Sequence, residues 1–283
     1  MDTYLINLER SSDRLARMKS RFDRINVPFK RVPAIDGRLL DSSAVERFLS
    51  KRRNRRWNYG EVGCFLSHLK AWRTFADSGD AHAAFFEDDA YLSSGLSGLL
   101  SSPDWIPGDA DVVRLETTFW RTEISCEKTK VTNRHEIHEL LALHHGAGAY
   151  ILTQKAANFL LGNEQMLRTT LDSALFDFQE PSCKALKIYQ VCPAPVLQET
   201  VYKSMVDNHV DALSEITRTD WIPTPELPLK ARKLLREIRR PFKQIASRSA
   251  QYKRVRSGQS FLTRVPYYGN ASGSDERLYA PTV

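Results

Sequence analysis

An unbroken apolar run, Ala83-Ala84-Phe85-Phe86, stops against three consecutive acids, Glu87-Asp88-Asp89. A stretch this short, with no polar alternation, predicts a strand buried on both faces, as in a parallel sheet. Adjacent carboxylates repel one another, so a chain gains little by clustering them unless a cation sits there. In open α/β sheets, ligands bind beyond the carboxyl ends of the strands. The triplet is therefore a candidate divalent-metal site, with hard oxygen donors that suit Mg²⁺ or Mn²⁺ bridging to phosphate. Taken alone, it also fits an acidic turn after a strand.

The N-terminal half reads as alternating strands and helices, the opening of a nucleotide-binding α/β layer. Tyr4 to Leu8 predicts a strand, and Ser11 or Ser12 caps a helix whose Leu15, Met18, Phe22 and Ile25 recur at helical spacing. Pro28 ends that unit, Phe29 to Val32 is a second strand, and Ala34-Ile35-Asp36-Gly37 a turn. Arg10 and Arg14 share one face of the first helix near its N-terminus. The macrodipole disfavours positive charge there, so phosphate binding would explain them; two solvated arginines are the alternative. Residues 41 to 57 are strongly basic and predict a surface loop or short helix over the active edge. Asn58-Tyr59-Gly60-Glu61 is a capping pattern for a helix burying Val62, Phe65, Leu66, Leu69 and Trp72, with Gly79 at C′. Ser67 and His68 lie within that helix.

Val112 to Glu116 predicts another strand, and residues 117 to 140 one or two more. His144-His145, before Gly146-Ala147-Gly148, could bind metal or simply turn into a strand over Ala149 to Leu152. Thr153 caps a helix closed by Gly162. Leu171 to Phe176 begins a short helix with Asp172 in its first turn, where the dipole favours a carboxylate. Leu186 to Val191 and Pro195 to Gln198 are the last predicted strands.

Residues 1–220 form the catalytic-type layer and residues 221–283 a Pro-rich, then basic extension. Between Lys230 and Arg256 eleven Lys or Arg face one acid, a local charge of +10, which leaves the remainder at −3 of the overall +7. Leu234, Leu235, Ile238, Phe242 and Ile245 make an apolar stripe among those charges. A basic amphipathic stripe fits an anionic membrane surface better than nucleic acid, which needs no apolar face. Residues 257–283 read as flexible. No apolar run approaches the ~20 residues of a membrane helix, and the start carries no secretory signal pattern. Cys64, Cys126, Cys183 and Cys192 show no zinc-like spacing and are expected as free thiols in a reducing cytoplasm.

Four ordered blocks together resemble glycosyltransferase family 25: Ile6-Asn7-Leu8 with Arg10 and Arg14; Ala34-Ile35-Asp36-Gly37; Gly60 to His68; and Glu87-Asp88-Asp89. Gly146 to Ala156 also looks like that family's later small-residue and Tyr block. The likeness covers roughly residues 3 to 200. It implies a GT-A type fold (a Rossmann-like mixed sheet flanked by helices), a nucleotide-sugar donor such as a UDP-hexose, and inversion at the anomeric carbon. It implies that Glu87 and Asp89 hold Mn²⁺ or Mg²⁺. Asn7, Arg10, Arg14, Asp36, Ser67, His68, Glu87 and Asp88 would then lie along the donor. Asp172, late in the chain at a helix start, is the candidate general base. A further His ligand is open among His144, His145 and His209.

The leading expectation is a transferase extending lipopolysaccharide or lipooligosaccharide acceptors at the cytoplasmic face of the inner membrane, held there by residues 230–256. The alternatives are a collagen-type hydroxylysine galactosyltransferase, a nucleotidyltransferase, and a non-enzymatic basic protein bound to membrane or nucleic acid. The last leaves the acidic triplet without a purpose.

Overall fold

In the computed structural model, which describes residues 1–50, 56–163, 167–206, 221–222, 247–269 and 277–279, strand β1 (Asp2–Asn7) runs parallel to both neighbours, β2 (Lys30–Pro33) and β3 (His82–Glu87). There follow β4 (Ala90–Leu92), β5 (Val112–Arg114), β6 (Glu116–Thr117), β7 (Arg121–Lys130), β8 (Glu136–Leu140), β9 (Ala149–Thr153), β10 (Ile188–Cys192), β11 (Val196–Gln198), β12 (Ser260–Arg264), β13 (Tyr267–Gly269) and β14 (Arg277–Tyr279). Among the described residues one mixed sheet has the order β12-β7-β8-β10-β5-β9-β3-β1-β2, and β4-β11-β6 form a smaller one. The helices are α1 (Ser12–Arg24), α2 (Ser42–Ser50), α3 (Tyr59–Ala76), α4 (Leu96–Ser101), α5 (Gln154–Gly162), α6 (Leu171–Phe176), α7 (Pro181–Lys184) and α8 (Glu199–Val206), with a further helical stretch over 247–256.

The run that opened the sequence is buried as expected: Ala83 to Phe86 have no exposed surface. Its surroundings differ from the parallel expectation, because β3 pairs in parallel with β1 but antiparallel with β9. Side chains alternate across the sheet. Tyr4, Ile6 and Phe85 pack with α3, α5 and α6 on one face, while Leu5, Ala84 and Phe86 pack with α1 and α4 on the other. Each buried phenyl ring removes some 150–250 Å² from water, which at ~25 cal/mol per Å² makes these two rings among the larger single contributors to stability. Helix α1 turns Met18 and Phe22 to that second face, with Leu15 and Ile25 at its margin.

Helix α3 begins with the reciprocal capping box foreseen in Asn58 and Glu61. It ends at Asp77, so Gly79, with φ of +80°, lies one residue beyond the expected C′ position. Close contact with the Ile35–Gly37 turn requires two glycines. A Cβ on Gly63 would sit 2.6 Å from the Ile35 carbonyl oxygen, and one on Gly37 would overlap the Tyr59 carbonyl.

Three expectations need correcting. The basic segment 41–57 is not simply a surface element: α2 buries Val45, Phe48 and Leu49, and Trp57 is fully enclosed edge-on to Phe48 and Phe65. The strand Ala83–Phe86 sits in a mixed rather than a parallel sheet, while residues 117–140 hold the one or two strands expected there, as the long β7–β8 hairpin. Residues 257–283 were expected to be flexible, yet Ser260–Arg264 is the edge strand of the main sheet, antiparallel to β7. Behind it, Arg254 forks onto the buried Glu123 at 2.8 and 2.7 Å, and Ser260 donates to the same carboxylate. The Leu234–Ile245 stripe falls outside the described residues. The four cysteines are free, and no helix among the described residues is long and apolar enough to cross a membrane.

Candidate active site

Because β1 and β3 are parallel neighbours, their carboxyl ends open on the same edge of the sheet, the position where α/β sheets bind ligands. The β1–α1 turn brings Arg10 and Arg14 to this edge, the turn after β2 brings Asp36, α3 lies across it, and β3 delivers the three acids. One cleft is lined by Arg10, Arg14, Asp36, Ser67, His68, Glu87, Asp88 and Asp89 together. The two other predicted residues lie outside its lining. Asn7 is buried beneath it as a strut, donating to Asp88 Oδ2 at 2.7 Å and to the Ser11 carbonyl at 3.1 Å while accepting from Arg31. Asp172 stands at the start of α6, where its charge is felt by Cys64 and Glu87.

The arginines are paired with acids of the same site. Arg14 donates to Asp88 Oδ1 at 2.8 Å, and Arg10 pairs with Asp36, which also accepts from the Arg38 backbone N–H. Ser67 is a tie rather than a free hydroxyl: it donates to the Gly63 carbonyl at 2.6 Å and accepts from the Ile35 N–H at 2.8 Å.

His68 is fully buried and links the core to the acids. Trp72 Nε1 donates to the Tyr150 hydroxyl at 2.8 Å, and that hydroxyl lies 2.6 Å from His68 Nδ1. With the phenol donating to Nδ1, an Nε2–H faces Glu87 Oε1 at 3.3 Å. Burial raises the Glu87 carboxyl pKa, but His68 and the Cys64 thiol outweigh it and hold the value below the ordinary one.

Asp88 and Asp89 behave differently. Burial pushes Asp88 up against the opposing contacts from Asn7 and Arg14. Asp89 is raised to about 8, first by burial and then by the charge of Glu87, with only Arg14 opposing strongly. Its Oδ1 is sealed from water and has no hydrogen-bond partner among the described residues. An orphaned carboxylate oxygen beside another carboxylate is the donor chemistry of a hard divalent cation, so the residues fit Mn²⁺ or Mg²⁺. Cys64, His68 and Glu87 also converge closely enough to share an ion, although a thiol suits a softer metal.

Asp172 carries a carboxyl pKa lowered to about 2: burial would raise it, but His145, Thr170 and the backbone N–H groups of Ser173 and Gly146 prevail. Of the two adjacent histidines, His144 is fully buried, with Nδ1 3.1 Å from Gln190 Oε1, and burial drives its pKa well down. His145 instead faces Asp172, with Nδ1 3.9 Å from Oδ2. His209 lies outside the described residues.

Sequence reasoning passed over Arg114 and Glu116, a fully buried ion pair (2.9 Å) behind the acids. Arg114 also donates to the carbonyls of His144, His145 and Gly146, and Glu116 accepts from the Gly148 N–H. The signal was two charges inside the apolar strand Val112-Val113-Arg114-Leu115-Glu116.

Residues 1–175 match the family model described as glycosyltransferase family 25 (LPS biosynthesis protein). The chain belongs to that family and is a glycosyltransferase. Similar proteins include the lacto-N-neotetraose biosynthesis glycosyltransferase LgtE of Neisseria gonorrhoeae, 25% identical over 74% of this chain and 78% of that one. LgtB of the same organism is 26% identical over 78% and 82%. The lipooligosaccharide biosynthesis protein lic2B of Haemophilus influenzae is 24% identical over 69% and 75%.

Proposed function

We propose that the protein is an inverting, metal-dependent hexosyltransferase of GT-A type that moves a sugar such as galactose from a UDP-hexose donor to a lipooligosaccharide or lipopolysaccharide core acceptor. The observation that carries this reading is the single cleft at the carboxyl ends of β1 and β3, where three acids meet two paired arginines. The similar proteins act in lacto-N-neotetraose and lipooligosaccharide biosynthesis by name, which favours a saccharide acceptor over a collagen one.

Arg10 and Arg14 bind the donor diphosphate and stabilise the charge that grows on it as the glycosidic bond breaks. Asp88 holds Arg14 in place for this role, and Asp36 does the same for Arg10. Asn7 supports Asp88 from below, while Ser67 and His68 fix α3 and Glu87 against the cleft. Mn²⁺ or Mg²⁺, held by Asp89 and Glu87, supplies Lewis-acid neutralisation of the leaving diphosphate when bound. Asp172 serves the opposite, acceptor side, where the attacking hydroxyl gives up its proton.

Residues 230–256 would hold the enzyme on the anionic inner face of the inner membrane. Because residues 260–264 belong to the main sheet, charge reversal of the basic residues between 230 and 243 tests this anchor better than truncation would. The reversed variant should leave the membrane pellet. The catalytic reading is tested by incubating a panel of nucleotide sugars with Mn²⁺ or with EDTA and measuring nucleotide release. Metal-dependent release from one UDP-hexose is expected, and release from none would refute it.

A further inference from the structure

Outside the lining of the donor cleft, a second group of side chains reaches solvent. The indole of Trp120 is 62% exposed, unusual for the largest of the apolar rings. It stands edge-on to the imidazole of His145, with ring centroids 5.2 Å apart and planes at 67°. The same imidazole turns Nδ1 toward Asp172 Oδ2, and its side chain is 47% exposed. Asp172 is near enough to Glu87 and Glu116 for its charge to act on both. Trp120, His145 and Asp172 thus form a path from open solvent to the acidic edge.

The exposure of Trp120 is built in. The preceding residue, Phe119, has φ of +56°, in the left-handed region that a bulky L-residue enters only under constraint. Three contacts enforce it. The Phe119 ring is buried with Leu197 and Tyr267, its N–H donates to Thr117 Oγ1 at 3.1 Å, and its carbonyl accepts from Arg264 at 2.9 Å. Thr117 in turn donates to the Val265 carbonyl at 2.6 Å. The strand that closes the sheet edge therefore clamps a strained turn whose outcome is an indole presented to water beside a histidine. Strain of this kind, held by its surroundings, concentrates at ligand sites. His145 is itself fixed from behind, its carbonyl accepting from Arg114 and Thr118.

An apolar face next to polar, hydrogen-bonding groups matches a pyranose, which offers a C–H face and a rim of hydroxyls. We propose that Trp120, His145 and Asp172 form the acceptor-saccharide subsite, with the sugar stacked on Trp120 and its attacking hydroxyl at His145 Nε2. This rests on the glycosyltransferase reading above and deepens it. The hydroxyl proton passes to Nε2 as the oxygen's electron pair forms the bond to the anomeric carbon. The bond from that carbon to the donor diphosphate breaks, and its electron pair leaves on the diphosphate oxygen. Asp172, with Oδ2 3.9 Å from Nδ1, is then a positioning residue whose charge orients the imidazole, as a carboxylate orients an imidazole base. This suits a carboxylate already engaged by two backbone N–H groups, which is itself a weak base. The groups facing His145 are Asp172 and Asp177, which favour its charged form, and Arg114 and burial, which oppose it.

The test is steady-state transfer from the active UDP-hexose to a panel of p-nitrophenyl β-glucoside, β-galactoside and N-acetyl-β-glucosaminide, with acceptor and donor varied separately. Trp120→Ala should raise acceptor KM at least tenfold with donor KM within twofold, and Trp120→Phe should recover most of the loss. His145→Gln should lower kcat at least a hundredfold. Asp172→Asn should lower kcat by a smaller factor and move the acidic limb of the kcat–pH profile to lower pH, because the imidazole loses its carboxylate. Unchanged acceptor KM in Trp120→Ala, or full kcat in His145→Gln, overturns the subsite while leaving the enzyme reading intact. Failure of the wild type to use any nucleotide sugar sinks both, and donor turnover with no glycoside of the panel accepted counts against the subsite alone.

Discussion

Replacing Arg114 by Met gives the sharpest test of how the wall behind the acids is held. The change keeps length and removes the charge, leaving Glu116 buried without its ion-pair partner and the carbonyls of His144, His145 and Gly146 without this donor. Removing one member of a buried pair costs ~3–5 kcal/mol, a large share of the ~5–15 kcal/mol that stabilises a typical domain. Part of this loss should depend on pH. The Glu116 carboxyl is raised from 4.5 to about 7, mainly by burial, with Arg114 pulling it down. A raised acid binds more protons folded than unfolded between its two values, so wild-type stability declines from about pH 4.5 to about 7 and levels off above that. Without Arg114 the folded value climbs further, and the decline continues past pH 7 at about 1.4 kcal/mol per unit. Urea unfolding at pH 6, 7 and 8 should therefore show a ΔΔG for Arg114→Met that grows by about 1 kcal/mol between pH 7 and 8, because the half-titrated wild type still loses a little over that unit. Adding Glu116→Gln should abolish that growth. A ΔΔG equal at pH 7 and 8 would refute the account of Glu116 as an acid kept ionisable by its arginine.

Three more outcomes follow from the same geometry. Gly63→Ala places a methyl 2.6 Å from the Ile35 carbonyl oxygen and 2.7 Å from the Gly37 nitrogen. It should destabilise by ~1–3 kcal/mol in thermal or urea melts, since neither backbone atom can yield easily. Arg14→Met leaves the Asp88 carboxylate without its arginine and removes the charge proposed to bind phosphate, so donor KM should rise at least tenfold with acceptor KM little changed, as steady-state kinetics would show. Asp89, raised to about 8, must lose its proton before it can hold a cation. Apparent Mn²⁺ affinity, read by calorimetry, should therefore rise between pH 6 and 8, by at most about tenfold per unit, and Asp89→Asn should remove that dependence.

Much of the fold was legible because local signals agreed with the global structure. The box at Asn58 and Glu61, the spacing of Met18 and Phe22, and the run Ala83–Phe86 each name an element and its buried side. Strand direction was not legible, because an apolar run reads alike whether its neighbour is parallel, as β1 is, or antiparallel, as β9 is. The closing strand was missed for a related reason. Ser260–Arg264 is an edge strand with one wet face, and only its pairing with β7 and the Arg254–Glu123 fork explain its order. Eight of the expected residues line one cleft, since residues just after parallel strands converge by topology. Trp120, His145 and Asp172 meet through tertiary packing across widely separated segments, which no spacing in the chain encodes.

The charges of the cleft bear on the cation proposed for it. Arg10, Arg14 and Arg38 line it against Asp36, Glu87, Asp88 and Asp89, three positive groups to four acids. A diphosphate brought to this surface adds negative charge to one that is already formally negative, and two of the arginines are engaged with acids of their own. Like charges at such separations disfavour binding unless something offsets them. The fold has two means of doing so. One is the proton that burial keeps on Asp89 near neutral pH; the other is a divalent ion that displaces it. Only the second also places positive charge where the leaving diphosphate develops its own. The raised carboxyl and the orphaned Oδ1 of Asp89 are then what the proposed cation would answer, since its charge would make that of the acid tolerable.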